Sequence, residues 1–509
     1  MEINIQEWKF RNYISTVVTF QIFILCIFLL VSLAGCVALG PEYEQPEADV
    51  ESDWLESEDP RIFSESPVTS EWWVSAFNDP VLDKLIATSF EQNLTLRSAG
   101  LRVLQSQQQL AIAIGAQYPQ QQQITGLAGR GKEEGSTVDI YNLGFSVSWE
   151  LDFWGRFKRQ VESASAAVDA SVANYDDALV LLVSQVAQTY ILICTFKEQL
   201  EVANQNIELQ EESLRIAKAK FEAGDVSELD ADQAESLLYN TIATASALEM
   251  LLQQFKNSLA FLLGKPPHDL DYLLGKKLTI PSAPADIAVG MPQNLIRHRP
   301  DIRIAERQLA AQSAQIGFAV TELYPHFSIG GSIGTEADST GDLFKSESDI
   351  WDIFALFEWN IFNYDRLRSN VRLQDARFQQ LLVDYLNTVL LAQVDVENSI
   401  IAYLKSHEQL VSYQFAYEAS RRAVEISTAQ YQNGLVSFNT VINTLRDHVQ
   451  QQDLLTSTKG SVATNLVLVQ KSLGGGWELR NNQDPVELLP SEMKDQMRER
   501  TKQWEGVLQ

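Results

Sequence analysis

Two periods of apolar residues alternate along this chain, one helical and one extended. From Val168 to Ile193 the apolar positions fall at 168, 172, 175, 179, 182, 186, 190 and 193. Their spacing of roughly 3.6 residues lies between a straight helix and a coiled-coil seam. The surrounding segment, 156 to 221, holds no proline and no internal glycine, and predicts one helix on the order of 100 Å long at about 1.5 Å per residue. Residues 366 to 431 have the same properties. Helices of this length cannot fold around one compact core, so they must pack side by side. Each ends at a glycine, Gly224 or Gly434, soon followed by Val-Ser and a further helical run to Gly264 or Gly474. That is the pattern of an antiparallel hairpin whose glycine supplies the left-handed cap.

Between the helices the period falls to two. Leu143, Phe145, Val147, Trp149 and Leu151 alternate with Gly144, Ser146, Ser148 and Glu150. Ile353, Ala355, Phe357, Trp359 and Ile361 alternate in the same way, as do Phe327, Ile329, Gly331 and Ile333, while Gln120 to Gly131 is more polar. Tyr118-Pro119 and Tyr324-Pro325 mark the change from helix to strand, because a residue before proline avoids the helical region. Each region predicts a hairpin with strands of about ten residues, as a membrane strand requires.

These elements occur twice. Trp149-Glu150-Leu151 leading to Arg156 returns as Trp359-Asn360-Ile361 leading to Arg366, an offset of 210 residues. At the same offset Tyr175, Leu179, Leu182, Val186, Tyr190 and Ile193 meet Tyr385, Val389, Ala392, Val396, Ile400 and Tyr403, and Leu263-Gly264 meets Leu473-Gly474. Two long copies differ from a solenoid's short array and predict a pseudo-symmetric assembly. Four strands cannot close a barrel, and lipid does not tolerate open edges. Two chains would give eight strands with a filled interior, whereas three give twelve and begin to leave a lumen.

At the N-terminus, Lys9 and Arg11 precede an apolar run from Ile22 to Leu33 that ends in Leu33-Ala34-Gly35-Cys36. The run is too short for a spanning helix and reads as an export signal. Leu-Ala-Gly-Cys resembles a bacterial lipobox, which would make Cys36 the lipidated first residue of the mature chain. Cys26 lies in the signal, so Cys194 has no disulfide partner and reads as a small core residue. A polar linker runs to about Ser70, and Asp79-Pro80 starts a helix expected to continue from Val81 to about Gly115. Another helix is expected from Pro300-Asp301 to about Leu323.

The net charge of -28 weighs against nucleic acid, whose phosphates need basic partners. No G-x-x-x-x-G-K-[ST], G-x-G-x-x-G or H-E-x-x-H occurs, and no nucleophile elbow is expected: Gly330-Gly331-Ser332-Ile333-Gly334 matches the letters G-x-S-x-G but lies within the strand-period run. His268, His298, His326, His407 and His448 lack metal-ligand spacing. The charge-dense run Arg299-Pro300-Asp301-Ile302-Arg303 with Glu306 is explained as the first turn of a helix. The expectation is a protein without enzymatic activity, metal or cofactor, apart from covalent lipid on Cys36.

In combination, several motifs resemble the outer-membrane efflux protein family, the TolC-like channels, and within it the lipoprotein branch of OprM/NodT type. They are Cys36 with Gly40-Pro41-Glu42-Tyr43, Trp72-Trp73 with Asp79-Pro80, Trp149 to Arg156, Gly290 to Glu306, and Lys459-Gly460 through Gly474-Gly475-Gly476-Trp477. The resemblance spans Cys36 to Trp477. It implies a mixed α and β membrane protein: a homotrimer whose 12-stranded outer-membrane β-barrel, four strands per chain, continues into a long periplasmic α-helical barrel. It further implies a passive, gated conduit of a tripartite efflux system, exporting drugs or other small molecules from Gram-negative cells. Its partners would be a periplasmic adaptor and an inner-membrane pump of the proton-driven RND type. An exit duct for type I protein secretion and a non-transporting structural lipoprotein are the alternatives.

On this reading residues 1–35 are the signal peptide, 36–80 a lipidated linker and equatorial segment, and 81–116 a helix of the α-barrel. Residues 117–153 form the first β-hairpin, 154–263 the first helical hairpin and 264–291 an equatorial connection. Residues 292–323 form a second barrel helix, 324–363 the second β-hairpin, 364–473 the second helical hairpin and 474–509 a C-terminal equatorial segment and tail. Gly224 and Gly434 would sit at the inner tips, with Asp230 and Asp232 near the aperture. Where related channels place acids, the second copy has Asn439, Thr440 and Asn443, so a polar amide ring is expected there.

Overall fold

The computed structural model describes residues 38–63, 71–133, 135–267, 270–275, 278–294 and 298–508. The export signal and Cys36 lie outside them. Six long helices and four long strands carry the fold, in two copies. The first copy comprises α1 (Leu94–Gly115), β1 (Gln121–Glu133), β2 (Ser136–Leu151), α2 (Arg156–Glu222) and α3 (Glu228–Leu262). The second comprises α4 (Pro300–Thr321), β3 (His326–Ala337), β4 (Asp349–Glu358), α5 (Arg366–Gln432) and α6 (Phe438–Ser472). The bounds of α5 and α6 lie 210 residues beyond those of α2 and α3, residue for residue, and α4 lies 206 beyond α1.

The duplication extends to single bonds. Trp149 Nε1 donates to Gln117 O at 3.1 Å, and Trp359 Nε1 to Leu323 O at 3.0 Å. Across the strands the offset is 205, aligning Ile124-Thr125-Gly126 with Ile329-Gly330-Gly331. Gln120, which precedes β1, is the residue without a counterpart.

The chain divides into two units. The first (Met1–Gln45, Ser106–Val168, Gln308–Leu382) is built on one antiparallel sheet of order β1-β2-β3-β4. Its register places Ile124, Phe145, Ile333 and Trp351 in one cross-strand row and Leu151, Phe327 and Phe357 in another. The alternate row carries Gln123, Ser146, Ser332 and Asp352. These rows are apolar on one face of the sheet and polar on the other, although Phe354 and Leu356 of β4 fall on the second face, and the apolar residues Ile124, Ile333 and Trp351 are exposed. A sheet apolar outward and polar inward is what a membrane barrel requires. β1 and β4 are its edges, so one chain leaves two rows of backbone donors and acceptors unladdered.

Two expectations need correction. β4 stops at Glu358, so Trp359 and Ile361 fall outside the strand they were expected to extend. The cause is the partner: β3 begins at His326, which faces Glu358, and beyond it the chain offers β4 no ladder. The helix expected from Val81 to Gly115 is broken at Asn93 into Pro80–Gln92 and α1. Asn93 is extended (ψ 125°), accepts the Leu96 N–H at 2.9 Å and donates to Leu262 O at 2.8 Å, so it caps a second helix.

The second unit (Pro46–Gln105, Asp169–Arg307, Val383–Gln509) is helical apart from one short parallel bridge, Ile62–Phe63 with Ile287–Ala288. The expected seam is its core: Leu179, Val186, Tyr190 and Ile193 of α2 cluster with Val396, Ile400 and Tyr403 of α5 and Leu466 of α6, all buried. Each such side chain contributes about 1.5–3 kcal/mol. Cys194 lies in the same cluster, and burial pushes its thiol up to about 12, so it stays an inert thiol. Asp79 caps Pro80–Gln92 through Val81 N at 2.8 Å and also accepts from Tyr190 Oη at 2.8 Å.

The Arg299–Arg303 run is more than a helix start. Arg299 donates to Ser472 O at 2.7 Å and pairs with Asp301 at 2.7 Å. Arg303 reaches the fully buried Asp176 at 3.2 Å, and Arg480 holds the same carboxylate at 2.5 Å. The Arg303 guanidinium also lies over the Trp477 ring, 5.3 Å from its centroid.

Candidate functional site

The reversals at the two hairpin tips are built alike. Gly224 has φ +81° and Gly434 φ +73°, a region that glycine enters without penalty. Gly224 N bonds Phe221 O at 2.9 Å and Asp225 N bonds Lys220 O at 2.9 Å. Gly434 N bonds Tyr431 O at 3.0 Å and Leu435 N bonds Gln430 O at 2.9 Å. Both are Schellman closures, which satisfy the last carbonyls of a helix without side chains. Ser227 and Ser437 then start α3 and α6.

The two hairpins meet in a cluster separate from the main core. Ala217, Ala234 and Leu237 of the first hairpin pack with Tyr431, Phe438, Val441, Ile442 and Leu445 of the second. Tyr431 and Phe438 have ring centroids 5.1 Å apart. Lys220 donates Nζ to Tyr431 O at 3.2 Å and lies over its ring, 4.5 Å from the centroid. The Tyr431 hydroxyl is buried without a hydrogen-bond partner among the described residues. Burial, and then the nearby Asp230 carboxylate, raise its pKa.

Farther along α6, His448 is buried against Ser420 Oγ at 3.0 Å and stacked on Tyr417. Burial and then the Arg421 charge lower its pKa, against smaller opposing effects of Asp447 and Glu425. With the folded value depressed, the unfolded chain takes up a proton first as pH falls, so stability is lost on acidification below about 6.5. Amide protection factors in residues 417–448, which correct for the intrinsic slowing of exchange in acid, are therefore expected to fall a few-fold between pH 7 and 5. His448→Gln should flatten that dependence.

The residues singled out from sequence divide by exposure. Asn439, Thr440 and Asn443 are exposed on α6, while Phe438, Val441, Ile442 and Leu445 of the same turns are buried. Asp232 is exposed and Asp230 half-buried. The repeat mates differ: Asp230 corresponds to Thr440, and exposed Asp232 to Ile442, which lies in the seam. Lys220 was missed in sequence, because a lysine two residues before a helix end reads as dipole complementation. Cys36 lies outside the described residues, but the chain just beyond it is held. Arg159, buried, donates to Leu39 O at 3.0 Å and Gly40 O at 3.3 Å, and pairs with Glu42 at 3.1 Å. Gly40 lies against Gly317 so closely that a Cβ on it would come 2.3 Å from the Gly317 Cα.

Residues 85–265 and 291–475 match the family described as outer membrane efflux protein. Nodulation protein T of Rhizobium leguminosarum bv. trifolii is 30% identical over 451 residues, covering 86% of this chain and 92% of its own. The probable outer membrane lipoprotein SilC of Salmonella typhimurium is 28% identical over 463 residues, covering 90% and 99%. Among solved structures, the outer-membrane channel OprN superposes with a TM-score of 0.81 at 29% identity, covering 87% of this chain and all of that one. The fold is thus TolC-like. The two matched segments are the two copies of helix, strand hairpin and helical hairpin, and the chain belongs to the outer membrane efflux protein family.

Proposed function

We propose that three copies of this chain form a passive, gated exit duct for small molecules across the outer membrane, anchored by lipid on Cys36. A periplasmic adaptor would meet the hairpin tips and link the duct to an energised inner-membrane pump. The observation that carries this reading is the sheet: four strands, with an apolar row such as Ile124, Phe145, Ile333 and Trp351 on one face, and two open edges that further copies would ladder. Its relatives are channel proteins, and the sequence offers no nucleotide or catalytic motif, so the driving force must come from a partner. Purified full-length protein in a planar bilayer should conduct ions. A trimeric preparation that stays silent even after its tips are loosened would refute the reading.

At the tips, Asn439, Thr440 and Asn443 alternate with the buried side of α6, which supports a neutral polar lining from the second hairpin. Threefold symmetry would triple any charge added there. Asn443→Asp is accordingly expected to raise cation selectivity and to introduce block by divalent cations. Unchanged single-channel currents would remove Asn443 from the constriction.

A further inference from the structure

A cleft of about 480 Å³ opens in the helical unit where α2 and α3 of the first hairpin meet α6 of the second. Its size is that of a small-ligand site, for which roughly 300–1,000 Å³ is usual. Phe196, Leu237 and Leu248 give it apolar walls, and Gln199, Arg446 and Asp453 give it polar ones.

Gln199 is the buried member of the polar set. It is 8% exposed, and its Nε2 donates to Asp453 Oδ1 at 2.7 Å. An ionised carboxylate only accepts, so this bond fixes which end of the amide is nitrogen and leaves Oε1 as an acceptor. That Oε1 is shielded from solvent and has no hydrogen-bond partner among the described residues. Buried acceptors are ordinarily paired, and an unpaired one is costly, so Gln199 points to a donor supplied from outside the chain.

Arg446 and Asp453 stand seven residues apart on α6, which puts them on one face at a separation of roughly 10 Å along the axis. Both are exposed, and neither makes an ion pair among the described residues. The cleft thus presents a carboxylate and an unpaired acceptor toward one end and a guanidinium toward the other.

We infer that this cleft binds a short zwitterionic peptide. Its N-terminal ammonium donates to Asp453 and to Gln199 Oε1, and its C-terminal carboxylate is held by Arg446, whose planar fork of donors matches a carboxylate. Three extended residues span about 10 Å at roughly 3.3–3.6 Å each, which equals the separation of the two charges on α6. A single amino acid carries its charges too close together to reach both. The free ends are the recognised feature, so an internal segment of a longer chain would not fit.

The walls come from both hairpins, so an occupant ties them together. Beside the cleft they are joined by the Gln199–Asp453 bond and by Asn206 Nδ2 donating to Gln452 Oε1 at 3.1 Å, and the peptide adds a further tie. The site lies within one chain and goes beyond the duct reading; only its effect on conductance rests on that reading.

The test is calorimetric titration of the full-length protein in lipid nanodiscs with alanyl-leucyl-alanine. Saturable binding is expected, weakened about tenfold or more by Arg446→Gln and likewise by Asp453→Asn, since each removes one charge-assisted contact. Both residues are exposed, so both variants should keep the melting temperature of the parent. The same peptide acetylated and amidated should bind the parent about tenfold or more weakly. No saturable binding to the parent, or binding that the substitutions or the capping leave unchanged, would overturn the site. In a planar bilayer the peptide should lower the open probability of the parent but not of Arg446→Gln. Binding without that effect, in a conducting preparation, would support the site and overturn the tie between hairpins. A preparation that binds the peptide and never conducts would support the site and count against the duct.

Discussion

Replacing Asp176 by alanine is expected to destabilise the folded chain by about 3–5 kcal/mol, the usual cost of breaking a buried ion pair from one side. Asp176 is fully buried and its carboxylate is shared by Arg480 at 2.5 Å and Arg303 at 3.2 Å. Arg480 is itself nearly buried, so its charge would be left without a counter-ion or water. The loss should appear as a lower denaturant midpoint for the full-length protein in detergent. It should spread to the C-terminal segment, because Arg480 also donates to Gln483 O at 2.8 Å and Trp477 packs under Arg303. Changing both partners, Asp176→Leu with Arg480→Met, should cost less than Asp176→Ala alone, since no unpaired charge remains. A single variant within 1 kcal/mol of the parent would mean the carboxylate is not the keystone of this network.

Tyr431→Ala is expected to open the duct. Tyr431 sits between the two hairpins at their tips, packs on Phe438 and carries Lys220 on its face and on its carbonyl. Truncating a buried aromatic costs on the order of 3–5 kcal/mol, and this small cluster has few other large side chains to absorb the loss. The helices above it remain held by the main core, so the effect should be local. Single-channel conductance should rise several-fold while the oligomer stays intact. Tyr431→Phe should behave almost as the parent, because the hydroxyl it removes has no partner among the described residues. Equal conductance of Tyr431→Ala and parent, in an intact oligomer, would place the constriction elsewhere.

The long helices and their glycine reversals were legible in sequence because a single local rule writes each of them. An unbroken seam of period 3.6 can be nothing but a helix, and a glycine at its end has one ordinary use. The strand period around Trp149 was equally plain. Failures came where a distant partner decides. Asn93 looks like any polar helix residue until Leu262 O is placed beside it, and β4 stops where β3 stops, which no local pattern records. The polar stretch of β1 gave a weak signal because its Gln and Gly residues are held by the ladder and not by a buried face. Asp176 was invisible for a related reason: its counter-charges lie 127 and 304 residues away. The amide-bearing turns of α6 were found in sequence, yet the cluster behind them required Ile442 and Asp232, repeat mates, to be seen on opposite sides of burial.

Were Cys36 lipidated, as proposed above, the segment clasped by Arg159 would set the length of the tether. Ala38 is two residues beyond Cys36, a reach of at most about 7 Å even when fully extended. Acyl chains on that cysteine could not roam the bilayer on a loose leash, as they would from an unbound linker of the thirty or so polar residues that follow. They would be moored beside Trp154 and Gly155, at the foot of the second barrel strand. Three such moorings around a trimer would fix how deep the barrel rides in the inner leaflet, making lipidation a control of depth as well as of attachment.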